Sequence, residues 1–472
     1  MRPRLVIVGS GLGGCCLAAS TLERFDVTVI EQGAMPDGGA FDIVDAGLPA
    51  VTDPHVGFGF GGTTALWHNG LIEISESVFR RSWPFDKSAL DPFYEEAVPL
   101  LSKGATQDRL RQSAADLASR HAAMGIHATH KSGLYYPTWP INVWTTLRLE
   151  GRVKAIAARA TTLKIDANGR CTGVQTSAGL VEADVVALAA GGLGTPALLQ
   201  RTAATYPFAG AGQVGCHYED HPMTFVGELQ LTVPLYRLWN FSVRGTSGNM
   251  RLPLVIERDG LEISFQLRPS ATVSGSSRRQ RVDTVLNDLR QSPFNPLTYL
   301  RLLLQPDDIL DILSFKLGWH LPTSHYTILM VAEMPTRPER DVWSDTRSGA
   351  TPTVQRRWVL TDEYLQLLQG SIEELIRSLG PLVTRARVFE GWGKTLRSAA
   401  HHSGTARLSN SPDAGVCDPN AKVHGLANVF VCDGSAIPAS GIANTGLTIA
   451  ALALRLGQHL CGPYADSSPR AT

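Results

Sequence analysis

The chain opens with a strand, a glycine-rich turn, a helix and a second strand, and that order constrains its fold more than any other feature. Leu5-Val6-Ile7-Val8 is an apolar run of buried-strand type. It is followed by Gly9-Ser10-Gly11-Leu12-Gly13-Gly14, an Ala/Leu-rich helical segment to about Arg24, and Val27-Thr28-Val29-Ile30 closed by Glu31. This reads as the start of a βαβ unit. Gly9 and Gly11 permit a tight turn and close approach of backbone to a pyrophosphate, Leu12 opens the helix, Gly14 lets helix and strand pack, and Glu31 is placed to hold adenosine ribose hydroxyls. With 45 glycines in 472 residues, three at this spacing arise by chance about 0.4 times, so context must decide. A second match, Gly57-x-Gly59-x-x-Gly62, follows Asp53-Pro54-His55 rather than an apolar run, and context selects the first copy.

Composition sets outer limits. A chain 43% hydrophobic and 18% charged is too apolar for a disordered tail and should bury a large core. Its 43 Lys+Arg balance 43 Asp+Glu, so no global field recruits nucleic acid or anionic lipid. Seven cysteines, two of them adjacent and none in a C-x-x-C pair, read as reduced thiols rather than a disulfide framework or a metal site. Met1-Arg2-Pro3-Arg4 leads into a run of only four apolar residues before Gly9, far short of a secretory h-region. The charge-free stretch 434–454 carries Pro438, Ser440, Asn444 and Thr445 and should not span a bilayer. The expectation is a cytoplasmic protein with no transmembrane segment and no nucleic-acid partner.

The same turn serves nicotinamide and flavin enzymes, so the choice of dinucleotide rests on later motifs. His401-His402-Ser403-Gly404-Thr405-Ala406-Arg407 and Val423 to Ser435 resemble the glucose-methanol-choline (GMC) oxidoreductase family, whose signature is H-x-x-G-T-x-R. Gly59-Phe60-Gly61-Gly62-Thr63-Thr64, Ser82-Trp83-Pro84-Phe85, Ala189 to Pro196, and Val214-Gly215 with Asp220-His221-Pro222 agree with it in the family's order. Residues 225–330 match no family pattern. The resemblance implies FAD and oxidation of an alcohol carbon by hydride transfer to flavin N5. It implies an α/β architecture: a Rossmann-type FAD-binding domain from 1–80, 150–220 and 396–472, interleaved with an α+β substrate domain from 81–149 and 221–395. Residues 229–268 alternate as an antiparallel sheet should, and about 282–321 reads as a helical insertion whose apolar face is ordinary core, with a lid or docking surface as the alternative. Thr361 to Leu379 reads as a helix stopped by Gly380, and Ser274 to Arg281 as a solvated loop.

Hydride leaves a carbinol carbon as its hydroxyl proton is lost, which calls for a base of near-neutral pKa beside the flavin. His401 heads the signature. His402, one residue on, should face the opposite way in extended backbone and pack or hydrogen-bond. Asn444 stands where the family has its second catalytic residue, as in the pyranose oxidase and choline oxidase arrangement, and its amide can donate to the substrate oxygen. It also competes as the N-cap of a helix starting near Thr445. That helix start would stabilise negative charge on reduced flavin. Thr445 replaces the family's usual Pro, and Leu408-Ser409 and Gln200-Arg201-Thr202 are further departures. The resemblance assigns Gly62, Thr63, Asn69, Asp433, Gly434, Thr445 and Leu447 to the cofactor and no residue to a metal. Where covalent members carry a flavin-linked histidine this chain has Leu66, with His68 off register, so non-covalent FAD is expected.

Trp67, Tyr135, Tyr136, Trp139, Trp144 and Trp392 suggest stacking platforms for sugar rings. A sugar or glycoside is the first expectation for the substrate. Steroid, choline-like or aliphatic alcohols, a nicotinamide-dependent dehydrogenase and a flavin-binding protein without redox turnover are the alternatives. Dioxygen or another oxidant would accept the electrons. Asp220-His221-Pro222 reads as the crossing into the substrate domain.

Overall fold

A computed structural model describes residues 2–33, 43–45, 56–67, 69–102, 104–127, 132–137, 141–232, 241–242, 248–292, 294–317, 323–345 and 353–462. One sheet is wholly parallel. Its strands run Val429–Val431, Val185–Leu188, Arg4–Val8, Asp26–Glu31 and Lys154–Ala157 in spatial order, so segments from both ends of the chain lie side by side. Leu5, Val6, Ile7 and Val8 are all buried, as expected of a parallel strand covered on both faces. Helix Leu12–Thr21 crosses over one face and packs on the last helix, Thr445–Cys461. Two glycines make this approach possible. Gly9 has φ +105°, and a Cβ there would strike the Ala189 carbonyl; a Cβ on Gly13 would strike the Cys432 carbonyl.

The second large sheet is antiparallel. It orders Leu254–Arg258, Leu261–Pro269, His325–Ala332, Pro222–Leu231 and Val383–Val388, with Arg397–Ser398 paired to the start of Pro222–Leu231. Alternation along Leu261–Pro269 divides its side chains. Ile263, Phe265 and Leu267 join Tyr326, Ile328 and Met330 in a core under helix Asp362–Leu379, while Ser264, Gln266 and Arg268 face the other way. Thr361 caps that helix by accepting from the Tyr364 N–H at 3.2 Å, and Gly380, at φ +43°, ends it.

Within 81–149, helix Asp91–Ser102 packs on the last helix, while strand Leu134–Pro137 pairs with Gly248–Arg251. Two sequence expectations need correction. Ser274–Arg281 is only partly a loop, because Ser276 accepts from the Arg279 N–H at 3.0 Å and starts helix Ser277–Gln291. Arg278 and Arg281 then tie it to Asp308 and Asp311 of helix Pro306–Leu317. Finally, the apolar face of helix Pro296–Leu304 is not core. It packs against helices Ser277–Gln291 and Pro306–Leu317 of the insertion and leaves Leu297, Leu300, Leu303 and Leu304 exposed. Among the described residues no helix is long and apolar enough to cross a membrane, and all seven cysteines are free thiols.

Candidate active site

A cleft of about 930 Å³ separates the carboxyl ends of the parallel strands from the antiparallel sheet. This is near the upper end of the range for ligand pockets, and the position is the one where open parallel sheets bind ligands. Gly9, Gly11, Leu12, Glu31, Gly62 and Thr63 line its floor. The glycine segment that lacked strand context in the sequence forms half of it: Gly61 donates to the Ser10 carbonyl at 3.0 Å, and Gly62 lies over Gly11. Glu31 is more occupied than its sequence position suggests. Its carboxylate accepts from the Ser10 N–H at 2.9 Å, the Ser10 hydroxyl at 2.6 Å and the Gly33 N–H at 3.1 Å, so it also holds the turn in shape.

Helix Leu12–Thr21 begins at the cleft without a side-chain cap. So does helix Thr445–Cys461, where Asn444 occupies the N-cap position but its side chain makes no cap hydrogen bond. Unspent N–H groups and the positive ends of both helix dipoles therefore open onto one cavity. Asn69 adds an orphaned acceptor. Its side-chain amide donates to the Leu101 carbonyl at 2.8 Å, while its Oδ1, buried beside the cleft, has no hydrogen-bond partner among the described residues.

His401 lies on the same cleft as Asn444. It follows Ala400, a non-glycine residue held at φ +63°. The buried carboxylate of Asp220 accepts from the His401 backbone N–H at 3.1 Å and from the His221 N–H at 2.7 Å. Burial alone would raise the Asp220 carboxyl, but His402, Ser398 and Arg356 hold it below its usual value. The His401 ring meets His221 through Nδ1···Nδ1 at 2.7 Å, and His221 Nε2 meets the Ser440 hydroxyl at 3.0 Å. Burial, then the neighbouring His401, pushes His221 down to about 3, so it is neutral at ordinary pH. Burial also lowers His401, against a smaller opposing pull from Asp220. Two neutral rings sharing one Nδ1 contact need one proton between them. If His401 holds it, His221 Nε2–H donates to Ser440, and His401 Nε2 is left with a bare lone pair. That is the state a general base requires.

The chain carries a match to the GMC oxidoreductase family model over residues 377–453, and to a Rossmann-like NAD(P)-binding domain over residues 7–68. Residues 377–453 are a GMC oxidoreductase C-terminal domain. The fold agrees. Pyridoxine 4-oxidase from Mesorbium loti superposes with a TM-score of 0.60 at 17% identity, covering 99% of this chain and 100% of that one. A formate oxidase of Aspergillus oryzae superposes at 0.59 with 15% identity, covering 98% and 99%. In sequence, the chain is 29% identical over 118 residues to a C-glycoside 3-oxidase of Microbacterium trichothecenolyticum, covering 25% of this chain and 23% of that protein. It is 34% identical over 103 residues to a 6'''-hydroxyparomomycin C oxidase of Streptomyces lividus, covering 22% and 18%. The chain thus spans about a fifth of the length of these curated relatives.

The GMC domain supplies His401, Asn444, Asp433, Gly434, Thr445 and Leu447, and five of the six line the cleft. Leu447 does not, and neither does Gly14; both are buried in packing contacts instead. Asp433 is committed within the protein, accepting from the Gly191 N–H at 2.9 Å and the Thr195 hydroxyl at 2.5 Å with one oxygen and from Ser435 with the other. His402 turns from His401 toward Tyr218, its Nδ1 2.9 Å from the phenol oxygen, though its ring still borders the cleft. Of the aromatic residues, Trp67 and Tyr136 line the cleft. Tyr135, Trp144 and Trp392 do not, and Trp139 lies outside the described residues, as does His68. Sequence reasoning missed the Asp220–His221 contribution to His401. Its only signal was an Asp-His pair directly before the strand that enters the second sheet.

Proposed function

We propose that this chain binds FAD without a covalent link and oxidises a CH–OH group of a sugar or glycoside. The observation that carries this reading is the His401 imidazole, backed by neutral His221, on the same cleft as Asn444 and two uncapped helix starts. The residues present fit the cofactor. The first helix start suits a pyrophosphate, the second suits the ring end that becomes negative on reduction, and the orphaned Asn69 Oδ1 suits a ring N–H. Leu66, in the register of covalent attachment, offers no nucleophile. The names of two sequence relatives, a C-glycoside oxidase and a hydroxyparomomycin oxidase, favour a sugar-bearing substrate over the steroid and choline-like alternatives, while a third, a 2-methyl-1,2-propanediol dehydrogenase 28% identical over 126 residues, keeps an aliphatic alcohol as the second reading.

Bound FAD supplies a hydride acceptor. The chain's own residues do the rest. His401 Nε2 takes the substrate hydroxyl proton while Nδ1–H stays with His221. Asn444 donates from its side-chain amide to the same oxygen, so the carbinol is held by two groups and its C–H direction is fixed. Trp67 and Tyr136 give apolar faces for a ring. Dioxygen or another oxidant then takes the electrons.

The test is anaerobic mixing of the yellow protein with sugars, glycosides and simple alcohols while flavin absorbance is followed. Bleaching should slow by ~10²-fold or more in His401→Ala, the scale of a lost general base. Equal rates in the two proteins would remove His401 from the mechanism.

A further inference from the structure

The roof of the cleft has a polar row that the proton-transfer chemistry does not use. Ser264, Gln266 and Arg268 alternate along strand Leu261–Pro269 and all line the cleft. Their neighbours on the adjoining strand, Val331, Leu329 and Thr327, bring no charge. The Arg268 guanidinium donates to Gln266 Oε1 at 2.9 Å, and among the described residues it forms no ion pair with a carboxylate. Among the described residues lining the cleft, the only acids are Glu31 and Asp433, both on the nucleotide side and both engaged by protein donors. Arg251, stacked over Tyr136 at 5.3 Å, adds a second cation on the roof side. A half-buried guanidinium lining the cleft with a neutral amide beside it is short of a counter-charge, and the Arg fork matches a carboxylate in two hydrogen bonds.

Register gives the distance. Ser264 pairs with Val331, and Val331 with Met223, which pairs with Arg397 of the strand that leads into His401. The row therefore starts at the catalytic end. Arg268 lies four residues farther, and its bond to Gln266 draws the guanidinium back by up to two, so it stands roughly 7–13 Å along the strand. One hexose ring, with bonds of ~1.5 Å, spans only about 5 Å.

We infer that Ser264, Gln266 and Arg268 form an anion-recognising subsite that takes a carboxylate on the aglycone or second ring of a glycoside, about one ring beyond the sugar being oxidised. This rests on the sugar or glycoside reading above. The subsite explains why the row is polar where its strand neighbours are uncharged, and why its one cation has no counter-ion among the described residues.

Two glucosides of equal length test it, 4-carboxyphenyl and 4-nitrophenyl β-D-glucoside, which differ in the charge at the far end. Kd is read from the concentration dependence of anaerobic flavin bleaching, and independently by calorimetric titration in a His401→Ala background. The carboxylate should bind about tenfold or more tightly than the nitro compound, as expected for a charge-assisted hydrogen bond. The ratio should fall to near one in Arg268→Gln, persist in part in Arg268→Lys, and shrink with added salt. A ratio near one in the unmodified protein, or one that survives Arg268→Gln, overturns the subsite. A protein that shows the calorimetric preference but bleaches with neither glucoside keeps the subsite and loses the sugar reading. One that bleaches with both at equal Kd keeps the sugar reading and loses the subsite.

Discussion

Replacing His221 with phenylalanine removes the ring that meets His401 Nδ1 at 2.7 Å and leaves a group of similar bulk. In the base-competent tautomer His401 holds its proton on Nδ1, and that N–H would then have no acceptor. A buried donor without a partner costs about 1–3 kcal/mol. The alternative tautomer avoids that cost by carrying the proton on Nε2, where it blocks the lone pair that the reaction needs. The competent fraction should fall by about 5- to 150-fold, and the limiting bleaching rate with it, since each 1.4 kcal/mol is about a factor of ten. The assay is stopped-flow flavin bleaching under anaerobic conditions, across pH 5 to 9. Because burial lowers His401 below its usual value, the unmodified protein should lose rate only as the pH falls through that lowered pKa, and sit on a plateau from about pH 7 upward. His221→Phe should lower the plateau without moving substrate Kd or flavin content. His221→Gln, whose amide oxygen can accept from Nδ1–H, should recover part of the rate. A His221→Phe protein that bleaches at the original rate with full flavin content would refute the tautomer argument. Loss of flavin with no partial recovery in His221→Gln would show that His221 serves the fold rather than the base.

Two further substitutions separate packing from ligand contact. Gly13→Ala drives a Cβ into the Cys432 carbonyl and should cost about 1–3 kcal/mol in chemical denaturation, whereas Gly11→Ala, whose Cβ meets nothing nearer than 4.0 Å, should leave the midpoint almost unchanged and weaken flavin retention on dialysis. Thr361→Ala removes the cap of helix Asp362–Leu379 and should lower stability by ~1 kcal/mol with little change in flavin content.

The parts of this fold that were legible in sequence are those whose signal is local. The Gly9 turn, its flanking strands and the Thr361–Gly380 helix each carry their own punctuation, and the structure places them where the residues say. The signature around His401 brought two side chains 43 positions apart onto one cleft because both belong to a strongly patterned domain. What stayed hidden depends on contacts between distant segments. The Gly57–Gly62 segment has no strand before it, so its apposition to Ser10 and Gly11 is invisible without coordinates. His221 reads as part of the crossing into the substrate domain until the pairing of Met223 with Arg397 brings it beside His401. Tyr135 and Trp392 are aromatic like Trp67, but which of them faces a cavity depends on sheet and helix packing that composition does not encode. The exposed leucines of Pro296–Leu304 illustrate the same limit, since helical spacing gives a face but not what lies against it.

The parallel sheet has a consequence for synthesis. Its edge strand Val429–Val431 pairs with Val185–Leu188, more than two hundred positions earlier, and Val185–Leu188 in turn pairs with Arg4–Val8. A growing polypeptide released from the ribosome one residue at a time must therefore keep Val185–Leu188 unpaired on one side until Val429–Val431 has emerged. Such distant pairings are slow and leave sticky edges exposed in the meantime. Truncation before 429 removes the strand that shields that edge as well as Asn444, so shortened products of this gene should accumulate as insoluble material rather than as weakly active protein.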